Sequence, residues 1–282
     1  MTRPYQLGSD EHKQRFCHML LDTFNPYKPT VIAWPTLSAD ALARLTNLPF
    51  WDIAVQTEGY ASRRMQALAD VTFEQPIKDA LNLNAFEEGR HKLVIEHMLR
   101  FYGIKTVPEP DYAAPENAEW NFIRTGYSEC FDSFFAFGLF KVAKDSGFFP
   151  PELVDVFEPV VHEEGRHILF FVNWVAWKRA QNNLFQNILF SGTCMAALGL
   201  SMFNRLGLAG KTKKAGQGVG ARSGGGSFTM TGTESVAGKL SPRLFLETCL
   251  AENNRRMAEY DDTLLRPTLM PRLAKLALLF VR

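Results

Sequence analysis

The five-residue string Glu-Glu-Gly-Arg-His occurs twice in this chain of 282 residues, at 87–91 and at 163–167. Each copy lies inside a long stretch whose apolar residues recur every three or four positions, which is the spacing of an amphipathic helix. The second Glu and the His of each copy are three positions apart, so both side chains lie on one face of the helix. Acids and histidines buried in a bundle must be paired or bound to metal, and this requirement constrains how the helices can pack.

The rest of the chain predicts further helices, with little of the alternation that indicates strands. We therefore expect an all-α fold, specifically a four-helix bundle with additional N- and C-terminal helices. The expected units are an N-terminal helical extension over 1–48, the bundle over 49–180, and C-terminal helices over 181–282 that pack on the bundle as one domain. The predicted helices cover about 9–24, a short segment capped by Ser38, 49–71, 76–102, 116–145, 152–179, 184–206 and 241–260, with Pro267 and Pro271 breaking the chain before a basic, apolar tail.

Two further glutamates, Glu58 and Glu129, lie in mostly apolar surroundings on the helices that lack the repeated string. In an antiparallel hairpin, residues at one level are equidistant from the turn. Glu58 and Glu88 are centred on position 73, inside the turn predicted at 72–76. Glu129 and Glu164 are centred between 146 and 147, beside the turn predicted at 147–151. Each pair is therefore expected to lie level in its own hairpin.

The order Glu, Glu-x-x-His, Glu, Glu-x-x-His over about 49–179 resembles the ferritin-like di-iron carboxylate superfamily. Its Glu-Glu-x-Arg-His form is most similar to soluble acyl-carrier-protein desaturases and the ribonucleotide reductase small subunit. The resemblance implies two metal ions held in a ferritin-like bundle by Glu58, Glu88, His91, Glu129, Glu164 and His167. Mixed carboxylate and imidazole ligands suit iron or manganese, whereas structural zinc sites usually use Cys and His. We expect two iron ions, leave a manganese–iron pair open, and expect O2 as co-substrate.

The residues next to the ligands have roles that the resemblance also implies. Glu87 would support His167 and Glu163 would support His91, so that each acid orients the histidine of the other half. Arg90 and Arg166 would neutralise these two acids. The alternative for all four is ordinary surface charge. Ser133 follows Glu129 on the same face and is a candidate proton relay, although a serine inside a helix often only bonds to its own backbone.

Two functions are compatible with these ligands. The first is a di-iron oxidase or oxygenase that activates O2 to hydroxylate, desaturate, N-oxygenate or cleave an apolar acyl or aromatic substrate, free or carrier-bound. The alternative is a ferritin- or rubrerythrin-like protein that handles metal or scavenges peroxide. Turnover would need an external electron donor, because the chain has no flavin, haem or iron–sulfur motif. Aromatic side chains that could form substrate walls crowd the third and fourth bundle helices: Phe131, Phe134, Phe135, Phe137, Phe140, Phe170, Phe171, Trp174 and Trp177.

Net charge and cysteine spacing indicate which partners and which cellular compartment to expect. The net charge of +1 does not favour nucleic acid as a partner. Cysteines 17, 130, 194 and 249 are isolated, which argues against a zinc knuckle or a disulfide framework and fits a reduced, cytoplasmic compartment. The N-terminus lacks the apolar segment of a secretory signal.

Two segments beyond the bundle carry separate expectations. No charge occurs between Arg179 and Arg205, and we favour a buried or interface helix there over membrane contact; a homodimer stays open. The stretch Gly207–Gly238 is rich in Gly, Ser, Thr and Lys, so we expect a mobile lid that orders over substrate or an acidic carrier through the basic residues at 211–214.

Overall fold

The computed structural model describes residues 4–205 and 240–281, and throughout these ranges the regular structure is helical. The predicted all-α fold is confirmed. The helices are α1 (Asp10–Asp22), α2 (Ala39–Thr46), α3 (Trp51–Val71), α4 (Gln75–Phe101), α5 (Ala118–Asp145), α6 (Pro151–Asp155), α7 (Glu158–Gln181), α8 (Leu184–Arg205), α9 (Pro242–Met257) and α10 (Leu269–Ala277), with a 3₁₀ turn at Pro29–Val31. The predicted lid, Gly207–Gly238, lies outside the described residues.

Four long helices, α3, α4, α5 and α7, form the central bundle. α3 and α4 are a hairpin, α5 packs against both α3 and α7, and α4 meets α7 across the bundle. α1 lies against α4 and α7, whereas α8 and α9 cover the outer side of α5. The strings at 87–91 and 163–167 therefore lie on the two helices, α4 and α7, that α1 covers.

Side-chain caps explain where several helices begin. Ser9, Ser38, Asn117 and Ser241 each accept a hydrogen bond from the backbone N–H three residues further on. Such a cap replaces a missing backbone acceptor and is worth about 1 kcal/mol. α3 differs from the prediction, because it begins at Trp51 after Phe50, and Pro49 lies outside it.

The fourth bundle helix was predicted to be continuous, but the structure shows that it is interrupted. The predicted span of 152–179 is split into α6 and α7 at Val156-Phe157. Pro159 explains the break, since its nitrogen has no hydrogen to donate to the carbonyl of Asp155 and its ring disfavours a helical residue before it. α7 then restarts with Pro159 in its first turn, where no donor is needed.

The C-terminal tail also differs from the prediction. Pro271 does not break the chain but lies in the first turn of α10, where the backbone N–H groups have no partner within the helix. Met270 and Ala274 form the buried side of this helix. The tail is therefore an amphipathic helix packed on the molecule.

The packing of α8 differs from the prediction more than that of any other helix in the described ranges. It is the one helix in the described ranges that is long and apolar enough to be considered a membrane span, with a mean hydropathy of 1.3, yet only 22% of that window is buried. Phe190, Cys194, Ala197 and Ser201 are its buried positions. Of the predicted alternatives, a fully buried helix is not what the structure shows, because the apolar face opposite Phe190 is open to solvent, whereas an interface helix stays a prediction.

Candidate metal centre

Three of the four bundle helices bring four of the six predicted ligands to one place. Glu58 comes from α3, Glu88 and His91 from α4, and Glu164 from α7. One ligand atom of each lies within 4.8 Å of the other three. Glu58 and Glu88 meet because they are level across the α3–α4 turn.

The other two predicted ligands, Glu129 and His167, border the same group. Nδ1 of His167 lies 2.8 Å from Oε1 of Glu88. The Glu129 carboxylate interacts electrostatically with Glu88, Glu164 and His167. The six residues therefore surround one buried centre that spans all four helices.

Each histidine has an acid from the other half of the bundle behind it. Nε2 of His91 lies 2.8 Å from Oε2 of Glu163, and Nε2 of His167 lies 2.8 Å from Oε2 of Glu87. Because a carboxylate accepts, the ring proton in each pair belongs on Nε2, which leaves Nδ1 facing the centre. This is the crossed arrangement that the resemblance implies for Glu87 and Glu163.

The two arginines of the repeated string donate hydrogen bonds to the acids that support the histidines. Nη2 of Arg90 donates to Glu163 Oε1 at 2.6 Å, and Nη1 of Arg166 donates to Glu87 Oε1 at 3.0 Å. Both guanidinium groups are almost completely buried. The alternative expectation for these four residues, surface charge, is therefore wrong.

The N-terminal extension supplies contacts that the sequence analysis missed. Arg90 donates to the carbonyl of Asn25 at 2.6 Å, and its Cζ lies 4.0 Å from the ring centre of Tyr27. The Tyr27 hydroxyl donates to Glu163, and Arg166 donates to the carbonyl of Leu20. Carbonyl groups carry no sequence signal, and Tyr27 lies more than sixty positions from the residues it contacts, so no local pattern could have identified these partners.

A third arginine, Arg64 on α3, lies near the centre and was also missed. It donates to Thr125 at 3.2 Å, and its Cζ lies 5.3 Å from the ring centre of Tyr60. Burial and the neighbouring Arg124 lower the pKa of Arg64 to about 10, while Glu129 favours its charged form. Arg64 therefore adds positive potential on the Glu129 side.

The pKa of each ligand carboxylate depends on its burial and on the charged groups around it. Burial, followed by repulsion from Glu164 and Glu58, raises the pKa of Glu88 well above its usual value. Burial and repulsion from Glu88 raise the pKa of Glu129 in the same way. Burial opposes the charged form of Glu164 too, but the combined attraction of His91 and His167 outweighs burial and lowers its pKa. The carboxylates thus repel one another more than the other side chains of the centre can offset, and Glu88 and Glu129 keep their protons to higher pH.

Four polar atoms at the centre are buried without a hydrogen-bond partner in the described part of the chain. They are Glu88 Oε1, His91 Nδ1, Glu129 Oε1 and His167 Nδ1. Nδ1 of His167 lies 2.8 Å from Oε1 of Glu88, but with the ring proton on Nε2 both atoms present lone pairs, so no hydrogen bond joins them. Nδ1 of His91 is 3.2 Å from Oε1 of Glu164, and the geometry is not that of a satisfied hydrogen bond. Buried polar atoms are normally paired, so lone pairs that converge without donors indicate a place for cations.

A charge count supports the same conclusion. The centre and its supports contain six carboxylates, those of Glu58, Glu87, Glu88, Glu129, Glu163 and Glu164, against the two guanidinium groups that bond to them. With neutral histidines, four negative charges are left, which two divalent ions would balance. Without metal, protonation must supply that charge, and contacts with Glu163, Glu164 and Glu58 do raise the pKa of His91 despite its burial.

The predicted proton relay, Ser133, lies near the centre. Ser133 is buried on α5, one turn after Glu129, and its role as a proton relay stays a prediction.

The two glycines of the repeated string lie close to other parts of the chain. A Cβ on Gly89 would lie 3.3 Å from Ser62, and a Cβ on Gly165 would lie 3.2 Å from Tyr260, so both mid-helix glycines face close neighbours.

The predicted aromatic walls are mostly packed core. Phe170, Phe171 and Trp174 belong to one buried cluster with α1 and α8, while Phe131 and Phe134 belong to another with α9 and α10. Three ligands are partly exposed instead: the side chains of Glu58 and Glu164 are 17% and 18% exposed and Glu129 is half-buried, whereas Glu88 is 2% and His91 0% exposed. Solvent therefore touches the centre at glutamates, while both histidines are buried.

Comparison with known proteins adds no relative. No family model, no curated protein and no solved structure matches this chain.

Proposed function

We propose that this protein is a di-iron oxidase or oxygenase that activates O2 to oxidise an apolar organic substrate. The observation that carries the proposal is the set of four unpaired ligand-type atoms around one buried centre. Glu58, Glu88, His91, Glu129, Glu164 and His167 would hold the two ions. Ferrous iron, when bound, would supply the electrons that O2 activation requires.

The residues of the chain itself divide the work of such a centre. Glu87 and Glu163 hold the histidine rings in one orientation with Nδ1 directed inward, which also raises the basicity of each imidazole. Arg90 and Arg166 neutralise these acids, so that the supporting carboxylates do not compete for the ions. Burial by the four helices excludes bulk water, while the partial exposure of Glu58 and Glu164 leaves a route for small reactants.

The proposal for the substrate rests on the resemblance rather than on a pocket. The aromatic side chains named as walls pack against one another, and the reaction class among hydroxylation, desaturation, N-oxygenation and C–C cleavage stays a prediction. The proposal includes an external electron donor, because the proposed ligands would hold two irons and the sequence has no motif for a further redox cofactor.

The test is an anaerobic titration with ferrous iron followed by exposure to O2. We expect two irons bound per chain and rapid O2 uptake that stops after one turnover without reductant. Glu164→Ala should abolish both, whereas Glu152→Ala, a matched change of an exposed glutamate on α6, should leave both unchanged.

The alternative functions give different results in the same experiment. Continued iron uptake with growth of a ferric mineral would assign a storage function. Two bound ions that consume O2 no faster than Glu164→Ala would make the metals structural, and no bound iron would overturn the proposal.

A further inference from the structure

The charges of this chain are unevenly distributed although their sum is close to zero. No Asp or Glu occurs between Glu164 and Glu234, and none follows Asp262. α8 and α10 lie in these two acid-free stretches. The surface that they form can therefore carry positive or neutral groups only.

The exposed side of α10 is both cationic and apolar. Arg272 and Lys275 are exposed, and neither forms an ion pair with a described residue. Leu276, Leu279 and Phe280 are exposed beside them, Phe280 by 79%. A short helix that presents bulky apolar residues flanked by cations is typical of a segment that lies in a membrane interface.

A cleft of about 410 Å³ lies between α9 and α10 beside these residues. Arg266, Arg272 and Lys275 line it together with Asn253 and Asn254, and none of its lining residues is acidic. Arg266 already donates to the backbone carbonyls of Leu264 and Tyr260 and is attracted by Asp261 and Asp262. Arg272, Lys275 and the two amide side chains are donors that suit phosphate oxygens. The cleft is thus suited to an anionic phosphate headgroup.

The outward face of α8 extends this surface with uncharged residues. Its exposed large apolar side chains recur along one side of the helix: Leu184, Phe185, Ile188, Leu189, Met195, Leu200 and Phe203. Gly192 and Gly199 lie on the same side with open space where a Cβ would be. An exposed apolar stripe of this length is a mark of an interaction site rather than of ordinary surface.

α8 and α10 contribute to one inner cluster of the molecule. Leu198 and Met202 of α8 pack into the same cluster as Met270, Leu273 and Ala274 of α10, against α5 and α9. Both helices are therefore held on the bundle by their inner sides, and their exposed residues face away from this cluster.

We propose that the exposed faces of α8 and α10 dock on a membrane leaflet that contains anionic phospholipid. The apolar side chains enter the boundary between headgroups and acyl chains, while Arg272 and Lys275 bind headgroup phosphates. α8 lies along the surface and does not span the bilayer, because Phe190, Cys194 and Ala197 keep it packed on the bundle. The proposal does not depend on the metal centre.

Charge complementarity favours a bilayer over a second copy of the chain. Two copies joined through this surface would bring the cations of α10 into an interface where its described residues supply no acid. An anionic leaflet supplies the missing charge, and each Lys or Arg near such a surface strengthens binding by about fivefold.

The test is cosedimentation of the full chain with vesicles of phosphatidylcholine alone and of phosphatidylcholine mixed equally with phosphatidylglycerol. We expect binding to the mixed vesicles, weaker binding to the neutral ones, and loss of the difference at high salt. Arg272→Gln with Lys275→Gln should weaken binding to mixed vesicles by about 25-fold, the product of two such contributions. Leu279→Ser with Phe280→Ser should abolish binding to both kinds of vesicle.

Matched controls come from the other side of the chain. Phe73→Ser changes a side chain that is 99% exposed at the α3–α4 turn, and Lys105→Gln removes an exposed lysine, so neither should affect vesicle binding. Unchanged helical content by circular dichroism should accompany every variant. Equal binding of all variants, or no binding to mixed vesicles, overturns the proposal. A stable dimer that fails to bind vesicles and dissociates on Ile188→Glu also overturns it and assigns the face to a second copy.

Discussion

The centre between α4 and α7 and the surface of α8 and α10 reverse the usual placement of side chains. At the centre, acids, histidines and arginines are buried, and their outer atoms are paired by crossed hydrogen bonds. On the surface, bulky apolar residues are exposed, and Arg272 and Lys275 among them form no ion pair with a residue in the described ranges. Each arrangement is costly in an isolated chain in water, so each indicates something that binds there: cations at the centre and an apolar, anionic phase at the surface.

The contrast between the buried centre and the exposed surface is tested most strongly at Arg166, where a substitution should lower the free energy of unfolding most. Arg166→Ala would leave Oε1 of Glu87 and the carbonyl of Leu20 without their buried donor, while His167 still donates to Oε2 of Glu87. Removing one partner of a buried ion pair costs about 3–5 kcal/mol in the free energy of unfolding. Urea denaturation would measure this change.

Arg255→Ala is the matched control for that substitution. Arg255 pairs with Glu252 and Glu259 but is half exposed, so its loss should cost about 1 kcal/mol or less. Equal destabilisation by the two substitutions would contradict the view that the buried pairs differ from the surface ones.

Removal of metal should produce the next largest effect. Ions that bind only the native state stabilise it by about 2.7 kcal/mol when their free concentration is a hundred times the dissociation constant. Calorimetry of the protein with iron and after chelation should show a lower unfolding temperature for the chelated form. An unchanged temperature would mean that the converging lone pairs hold no metal in solution.

Glu87→Gln would sharpen the account of the supporting acids. Glutamine can still accept from His167 but no longer carries the charge that raises the basicity of the ring, so affinity for metal should fall by about 10- to 100-fold. Competition with a metal-sensitive dye measures this affinity. Glu119→Gln, a change of a more exposed acid on α5, is the control and should leave the affinity as it was.

The smallest effect is expected on the outward face of α8. Ile188→Ser changes an exposed residue, so the free energy of unfolding in solution should change by no more than about 0.5 kcal/mol. Phe190→Ala, two residues further along the same helix, should cost about 3–5 kcal/mol because Phe190 is buried. Similar costs for the two would show that the Ile188 face is covered in solution.

The helices and the ligand set were largely predictable because both depend on spacing. Glu58 and Glu88 are level across a short turn, and Glu88 and His91 share a face, so simple helix geometry places them together. The break between α6 and α7 was missed although Pro159 marks it, because the strong apolar pattern on both sides favoured one long helix. The contacts of Tyr27, Leu20 and Asn25 with the arginines and Glu163 have no counterpart in any local pattern.

The sequence by itself determined the helical periodicity, the caps and the two Glu-x-x-His faces, since these depend on residues within a few positions of one another. No local pattern determined the crossing of Glu87 and Glu163 to the opposite histidines, which the resemblance implied and the tertiary structure shows. Only the tertiary structure decided that Leu20 of α1 binds Arg166 and that Asn25 and Tyr27 bind Arg90. It also decided which face of α8 is open, because an apolar helix has the same pattern whether it is buried in a core, pressed on a partner or exposed on one side. That choice depends on how many neighbours the fold places around the helix, and the fold covers the Phe190 side of α8 while its Ile188 side stays exposed.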